Sequence, residues 1–561
     1  MSPDPSGRIV VELQQQRVQR SLKDYLSAAF DSLRVALYLF IVGVLIWSWW
    51  STSRDDGLVV ESFSVPELAK SNGLSGQVIA SSLVDHMKFM RAASVRPSGT
   101  IQEQPPDSPI KVQVSGPGIS IDEVYTYLRS ALSNSTYVSG ELYSTDQGVV
   151  LTARINNAAG PTCRARAEHF EVAVSIIAGC IYRDYLPYFY AAFIASQQRT
   201  ADAEKIFRQL AQTGTPDSRA WGYAALAYQL EHKDHKFPEA ISDFRTATEL
   251  MPDSVLFNEE LADAEANYEF DEPALKDSER LIGIIRRRAW TLMAAPDDEL
   301  IRLHYEADRA DALGEFRDAA ETRTKYIARL RDPDQTKNAL SDQLESLAGS
   351  HDAEGVSALR HSPVMSTFEG ELDALAELRI AVALEDWKTA RGWAHEALST
   401  CEADCIRERA VTPLVDLASA ELHDFRSADA IFGEDTGDCY ACLVVRGRIR
   451  TLEGKYGAAE YWFYRATKLG PSLPGAYLEW GIERQEAQRP EEAIPLLRAA
   501  ELRADHYADP SERAGEILLA EGEFAQAARE LRNAVDYAPS WPRLQDALRC
   551  AEMRRQHCRL T

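Results

Sequence analysis

The 561-residue sequence contains no glycine-rich loop followed by Lys-Ser or Lys-Thr, no His-Glu-x-x-His and no Gly-x-Ser-x-Gly. A phosphate cradle, a zinc-protease helix and a serine-hydrolase elbow are thus all missing as sequence signatures. His395-Glu396 stands alone on a predicted helix and reads as surface. Basic residues are also scarce, with 61 Lys and Arg against 86 Asp and Glu. The resulting net charge of −25 is unevenly placed: 0 over residues 1–57, −1 over 58–183 and −24 over 184–561. Such a field repels phosphate backbones, so no nucleic acid is expected as a ligand of the C-terminal two-thirds. It suits a soluble, exposed array or attraction to a basic partner.

Cysteine is sparse too. The eight residues fall into near neighbours: Cys163 and Cys180, Cys401 and Cys405, Cys439 and Cys442, Cys550 and Cys558. An even, locally paired set in a chain expected to be exported reads as disulfides. Free thiols are one alternative. A four-cysteine zinc site from Cys401, Cys405, Cys439 and Cys442 is another, since Cys405 and Cys439 lie 34 residues apart. Redox catalysis by Cys439-x-x-Cys442 lacks the surrounding βαβ pattern. No cofactor or metal is expected.

Long apolar runs are missing except for VALYLFIVGVLIWSWW at Val35 to Trp50, which holds no charge. At about 1.5 Å per residue it is slightly short for a ~30 Å hydrocarbon core, but Leu33, Trp47, Trp49 and Trp50 extend it. A buried core helix or a cleaved signal peptide would also fit; a single retained anchor at 35–51 fits best. Arg8, Arg17, Arg20, Lys23 and Arg34 precede the run, which orients residues 1–34 to the cytoplasm and the bulk of the chain outside. Apolar residues from Val11 to Leu33 at near-helical spacing make 1–34 an amphipathic segment.

Residues 58–183 read as a small α+β domain. Strands are predicted at 58–65, 110–116, 136–144 and 148–156, and helices at Ser75–Ala93, Ile121–Leu132 and His169–Tyr185. The proline-rich stretch Pro97–Pro109 reads as a loop. Tyr137-Val138-Ser139-Gly140-Glu141 followed by Leu151-Thr152-Ala153-Arg154 resembles the small domains that precede helical repeats in some bacterial adenylate-cyclase and TolB-like proteins. No cyclase catalytic segment accompanies it.

From 184 to 541 the chain reads as helix pairs, most regular at 440–541. There Gly447, Gly481 and Gly515 recur every 34 residues, as do Ala459, Ala493 and Ala527, and Ala466, Ala500 and Ala534. Phe463, Leu497 and Leu531 sit between the alanines. One helix pair of this length cannot bury its apolar face alone, so copies stack. Less regular copies are marked by Ala203 and Phe207, Ala240 and Phe244, and Ala307 and Ala319, while 254–301 and 336–361 lose the pattern. About nine pairs are counted, and 542–561 reads as a capping helix. The block resembles the tetratricopeptide repeat (TPR) family. The resemblance implies an α-solenoid whose first helices line a protein- or peptide-binding groove, at Arg448, Leu478, Ile482, Gln485, Glu486, Glu512 and Glu516 in the regular units.

The expectation is therefore a mainly α protein without enzymatic activity. It would be anchored as a single-pass protein of a bacterial inner membrane and scaffold protein assembly on the periplasmic side. An envelope sensor whose α+β domain binds a ligand is a second reading. A zinc or thiol-redox protein using the Cys401–Cys442 cluster is a third. The sequence sets no oligomeric state.

Overall fold

The computed structural model describes residues 58–66, 74–93, 110–113, 136–146, 148–156, 160–289, 297–365, 372–401, 407–430 and 438–554. The predicted segments 1–34 and 35–51, the loop 97–109 and the helix 121–132 lie outside the described residues, as do Cys405 and Cys558. Among the described residues no helix is long and apolar enough to cross a membrane. The expected placement as a single-pass inner-membrane protein is corrected accordingly: no span in the structure supports it.

Two compact units divide at Ile206/Phe207. The first is built on a five-stranded sheet in the order β2-β1-β3-β4-β5. Its strands are β1 (Leu58–Glu61), β2 (Ile110–Gln113), β3 (Thr136–Thr145), β4 (Gly148–Ile155) and β5 (Thr162–Ala167). β1 runs parallel to both β2 and β3, and β3-β4-β5 form an antiparallel meander. Helix α1 (Gly76–Ala92) starts at Ser75, whose hydroxyl accepts from the Val78 amide at 3.2 Å. It buries Ile79, Leu83, Met87 and Met90 at helical spacing. Helix α2 (Phe170–Tyr185) buries Val174, Ile177, Ile181 and Tyr182 in the same core. Leu186 and Phe189, at the start of α3 (Pro187–Ser196), close that core. The aromatic run Tyr185–Tyr190 is thus packing for the sheet unit. A disulfide between Cys163 on β5 and Cys180 on α2 ties helix to sheet.

Strand β5 was not anticipated. Its inward residues are Cys163, Ala165 and Ala167, and its outward ones include Arg164 and Arg166. The alternation is there, but without the β-branched and aromatic residues that mark a strand in sequence.

The division falls within α4 (Thr200–Thr213). The second unit then runs as helix pairs: α5 (Pro216–His232) with α6 (Phe237–Leu250), α7 (Val255–Asn267) with α8 (Asp271–Ala289), and α9 (Asp298–Ala312) with α10 (Phe316–Ile327). Next come α11 (Pro333–Gly349) with α12 (Ala353–Arg360), α13 (Ala374–Ala383) with α14 (Trp387–Thr400), and α15 (Thr412–Glu421) with α16 (Phe425–Ala430). The regular block follows as α17 (Tyr440–Leu452) with α18 (Tyr456–Leu469), α19 (Gly475–Glu486) with α20 (Pro490–Glu501), and α21 (Ala508–Glu521) with α22 (Phe524–Tyr537). Helix α23 (Pro542–Glu552) ends the array. The stretches where the sequence pattern fades, 254–301 and 336–361, hold helix pairs like the rest.

A backbone device unites the pairs better than any side chain does. Each turn within a pair contains one residue of positive φ: His235, Glu269, Gly314, His351, Glu385, His423, Gly454, Gln488 and Gly522. The amide after it commonly reaches back five residues, as from Phe270 to Glu265 and from Glu523 to Leu518, both at 2.9 Å. This is the left-handed cap that satisfies the last carbonyls of a helix. In the regular block the recurring glycines sit under the recurring bulky residue. A Cβ on Gly447 would lie 2.4 Å from the Phe463 ring, and one on Gly515 would lie 2.6 Å from Leu531. Small residues there set how closely the two helices approach.

Candidate interaction surface

The solenoid does not stay open. Its middle turns dock on the loops of the regular block. Glu272 accepts from the Ser472 amide and hydroxyl at 2.9 and 2.8 Å, 200 residues away. Glu315 accepts from the Asp505 amide at 2.8 Å, 190 residues away. His506 meets Asp318 at 2.6 Å, and Arg317 donates to the Asp536 carbonyl at 2.9 Å. The His351 ring stacks on Trp541 with centroids 3.5 Å apart and meets Asp509 at 3.2 Å. Arg409 donates to the Tyr268 carbonyl at 2.7 Å, pairs with Asp438 at 2.7 Å and lies over the Tyr268 ring. Gly314 takes positive φ where the Tyr507 ring would meet any Cβ at 2.8 Å. With repeats of 34 residues, this seam closes one superhelical turn in about five to six pairs.

The helix pairs between α7 and α13 carry a cluster of charged side chains. Five carboxylates, on Glu269, Asp308, Asp311, Asp342 and Glu345, crowd within electrostatic reach of Arg323 and Arg379, while Asp263 faces His304 and Asp308. Arg323 is almost fully buried and binds Asp308 at 2.7 Å, Asp311, and the Ser346 hydroxyl at 3.0 Å. Arg379 lies 3.5 Å from Glu269 and 3.9 Å from Glu345. His304 lies 3.4 Å from Asp308 and stacks on Tyr326. The Tyr305 hydroxyl donates to Asp263 and to the Glu259 carbonyl.

Burial pushes the carboxyls of Asp311 and Glu345 up to about 7. Enclosure by the surrounding helices raises Asp263 in the same direction, although that residue keeps contact with solvent. Glu269 and Asp342 are also raised, again chiefly by burial.

These shifts give a pH dependence. A carboxyl raised by folding binds its proton more tightly in the folded state, so its contribution to stability is complete below the unfolded value near 4 and is lost as pH rises through about 7. Urea midpoints are therefore expected to be higher at pH 5.5 than at pH 8. A midpoint that climbs steadily over this window would contradict the assignment.

The residues expected to line the groove lie farther along the array. Arg448 pairs with Glu421 at 3.1 Å, Glu486 at 2.9 Å and Glu479 at 3.9 Å. Glu512 and Glu516 share Arg543, at 3.2 and 2.6 Å, and Arg513, at 3.2 and 3.3 Å. Leu478 is buried in the core around Leu497, Ile482 packs against the edge of that core, and Gln485 is half-buried. The structure thus brings Arg448 to Glu486 and Glu512 to Glu516. It adds Glu421, Glu479, Arg513 and Arg543 as partners that the repeat register alone does not name.

Of the cysteines, Cys439 and Cys442 are joined to each other at the start of α17, so their sulfurs are committed to that bond rather than to a metal. Cys550 is disulfide-bonded, and Cys401 ends α14.

The described residues therefore define a helical-repeat protein with TPR-like pairs and a separate α+β unit. No family model and no curated protein matches the sequence. Among solved structures, the crystal structure of yeast Tom70 is similar at a TM-score of 0.30 and 12% identity, covering 66% of this chain and 96% of that one. The APC/C hetero-tetramer Cut9-Hcn1 is similar at a TM-score of 0.29 and 12% identity, covering 67% and 85%. The class rests on the helix pairs themselves.

Proposed function

We propose that the protein is a non-enzymatic interaction scaffold whose solenoid takes a basic segment of a protein partner. The observation that carries this reading is the surplus of carboxylates over guanidiniums among Asp263, Asp308, Asp342, Glu345, Arg323 and Arg379. Asp342 and Glu345, whose carboxyls burial raises, are relieved by an incoming cation, and a chain of lysines and arginines supplies several at once. The net −24 over residues 184–561 steers such a segment toward the array.

The test uses the full chain and a fluorescent Lys/Arg-rich peptide, with a Glu-rich peptide of equal length as control. Saturable binding of the basic peptide alone is expected, weakened by salt and by Asp342→Asn with Glu345→Gln. Equal binding of both peptides, or binding indifferent to these changes, would overturn the proposal.

A further inference from the structure

The sheet unit holds a cavity of about 870 Å³ between α1, α2 and α3, separate from the solenoid surface. Its apolar lining is Phe89 and Met90 from α1, Ile176 from α2, and Phe193 and Ile194 from α3, beside the polar Asp85, His86 and Ser175. Phe89 is 63% exposed and Ile176 49% exposed, which is unusual for large apolar side chains facing one hollow. Phe89 and Phe193 meet edge to face at 6.3 Å, so the wall is formed and packed.

Three guanidiniums line the same cavity, from Arg164, Arg183 and Arg199, with Asp85 as the one carboxylate among its lining residues. Arg183 also bonds Asp184 at 2.9 Å, and Arg199 bonds Asp202 at 2.9 Å. Both pairs are more than half exposed on the arginine side, so they hold the side chains loosely and leave guanidinium donors open. Arg164 has no ion-pair partner among the described residues. The Cys163–Cys180 disulfide fixes the strand that carries Arg164 against the helix that carries Arg183.

We infer that this cavity is a binding site for a free long-chain acyl carboxylate. Its size falls within the range of small-molecule pockets, about 300–1,000 Å³. Apolar walls accept the aliphatic chain, and a guanidinium fork matches a carboxylate in a bidentate way. A peptide suits it less well. Apart from Arg164 on β5 and Arg199 after α3, the lining residues lie on α1, α2 and α3, whose backbone amides and carbonyls are largely spent within the helices.

The test is titration of the full chain with palmitate, read by calorimetry and by displacement of a fluorescent undecanoic-acid probe. One saturable site is expected, with methyl palmitate binding at least about tenfold more weakly because it lacks the charge. Arg164→Ala with Arg183→Ala should weaken palmitate by a similar factor, and Ile176→Glu should weaken both palmitate and the ester. These side chains are exposed, so the variants should keep the parental melting temperature, and that is measured alongside. Phosphatidylglycerol vesicles form the other arm. Vesicle binding without palmitate binding, equal affinity for acid and ester, or insensitivity to all three substitutions would each overturn the assignment.

Discussion

Replacing Arg323 by alanine is expected to cost about 3–5 kcal/mol of unfolding free energy, the range seen when one partner of a buried ion pair is removed. The side chain is 6% exposed and reaches from α10 to Asp308 and Asp311 on α9 and to Ser346 on α11. Truncation leaves Asp311 and the more exposed Asp308 without this cation and the Ser346 hydroxyl without one of its partners. The loss should be largest at pH 8. It should shrink at pH 5.5, where Asp311, already pushed up to about 7 by burial, carries a proton. Urea unfolding at the two pH values measures both. A loss below about 1 kcal/mol at pH 8 would place Arg323 among solvent-screened surface pairs instead. Arg323→Met combined with Asp311→Leu should recover much of the stability, since a buried pair replaced whole by apolar groups is often neutral.

Phe463→Ala is expected to cost a comparable amount, about 3–5 kcal/mol for an aromatic side chain deleted from a packed core. Phe463 is fully buried, and its ring fills the space over Gly447. The same fit recurs as Leu497 over Gly481 and Leu531 over Gly515. Gly447→Ala alone should also destabilise, by roughly 1–3 kcal/mol, because its new methyl meets the ring. In the Phe463→Ala background that penalty should vanish. A double-mutant cycle in urea reads the coupling directly, and additive effects would show that ring and glycine do not constrain each other.

The regular block was legible because its glycine, alanine and bulky positions keep one spacing and pack the two helices of each pair together. The pairs at 254–301 and 336–361 were not. Their turns use the same left-handed residue, but Glu269 and His351 fill it where glycine would have advertised it. Strand β5 escaped notice because small and charged residues carry its alternation. Of the ion pairs along the array, register named Arg448, Glu486, Glu512 and Glu516. The partners Glu421, Arg513 and Arg543 it could not name, because ion pairs between neighbouring helix pairs have no fixed spacing. The seam was invisible for a stronger reason. Its contacts join residues 141–219 positions apart, often a side chain to a backbone group that bears no residue identity.

That seam changes how the array should come apart. A repeat protein whose units touch only their neighbours behaves as a one-dimensional chain that frays from its ends. Here the contacts of Glu272, Glu315 and His351 turn the intervening chain into a closed loop. Closing a loop of this length costs an entropy of about 4–5 kcal/mol on ideal-chain scaling, and forming it late would slow folding. In return, the middle and the regular block should lose structure together. Under tension on the two ends of the array, the docked edges must part before any repeat within the loop can unravel.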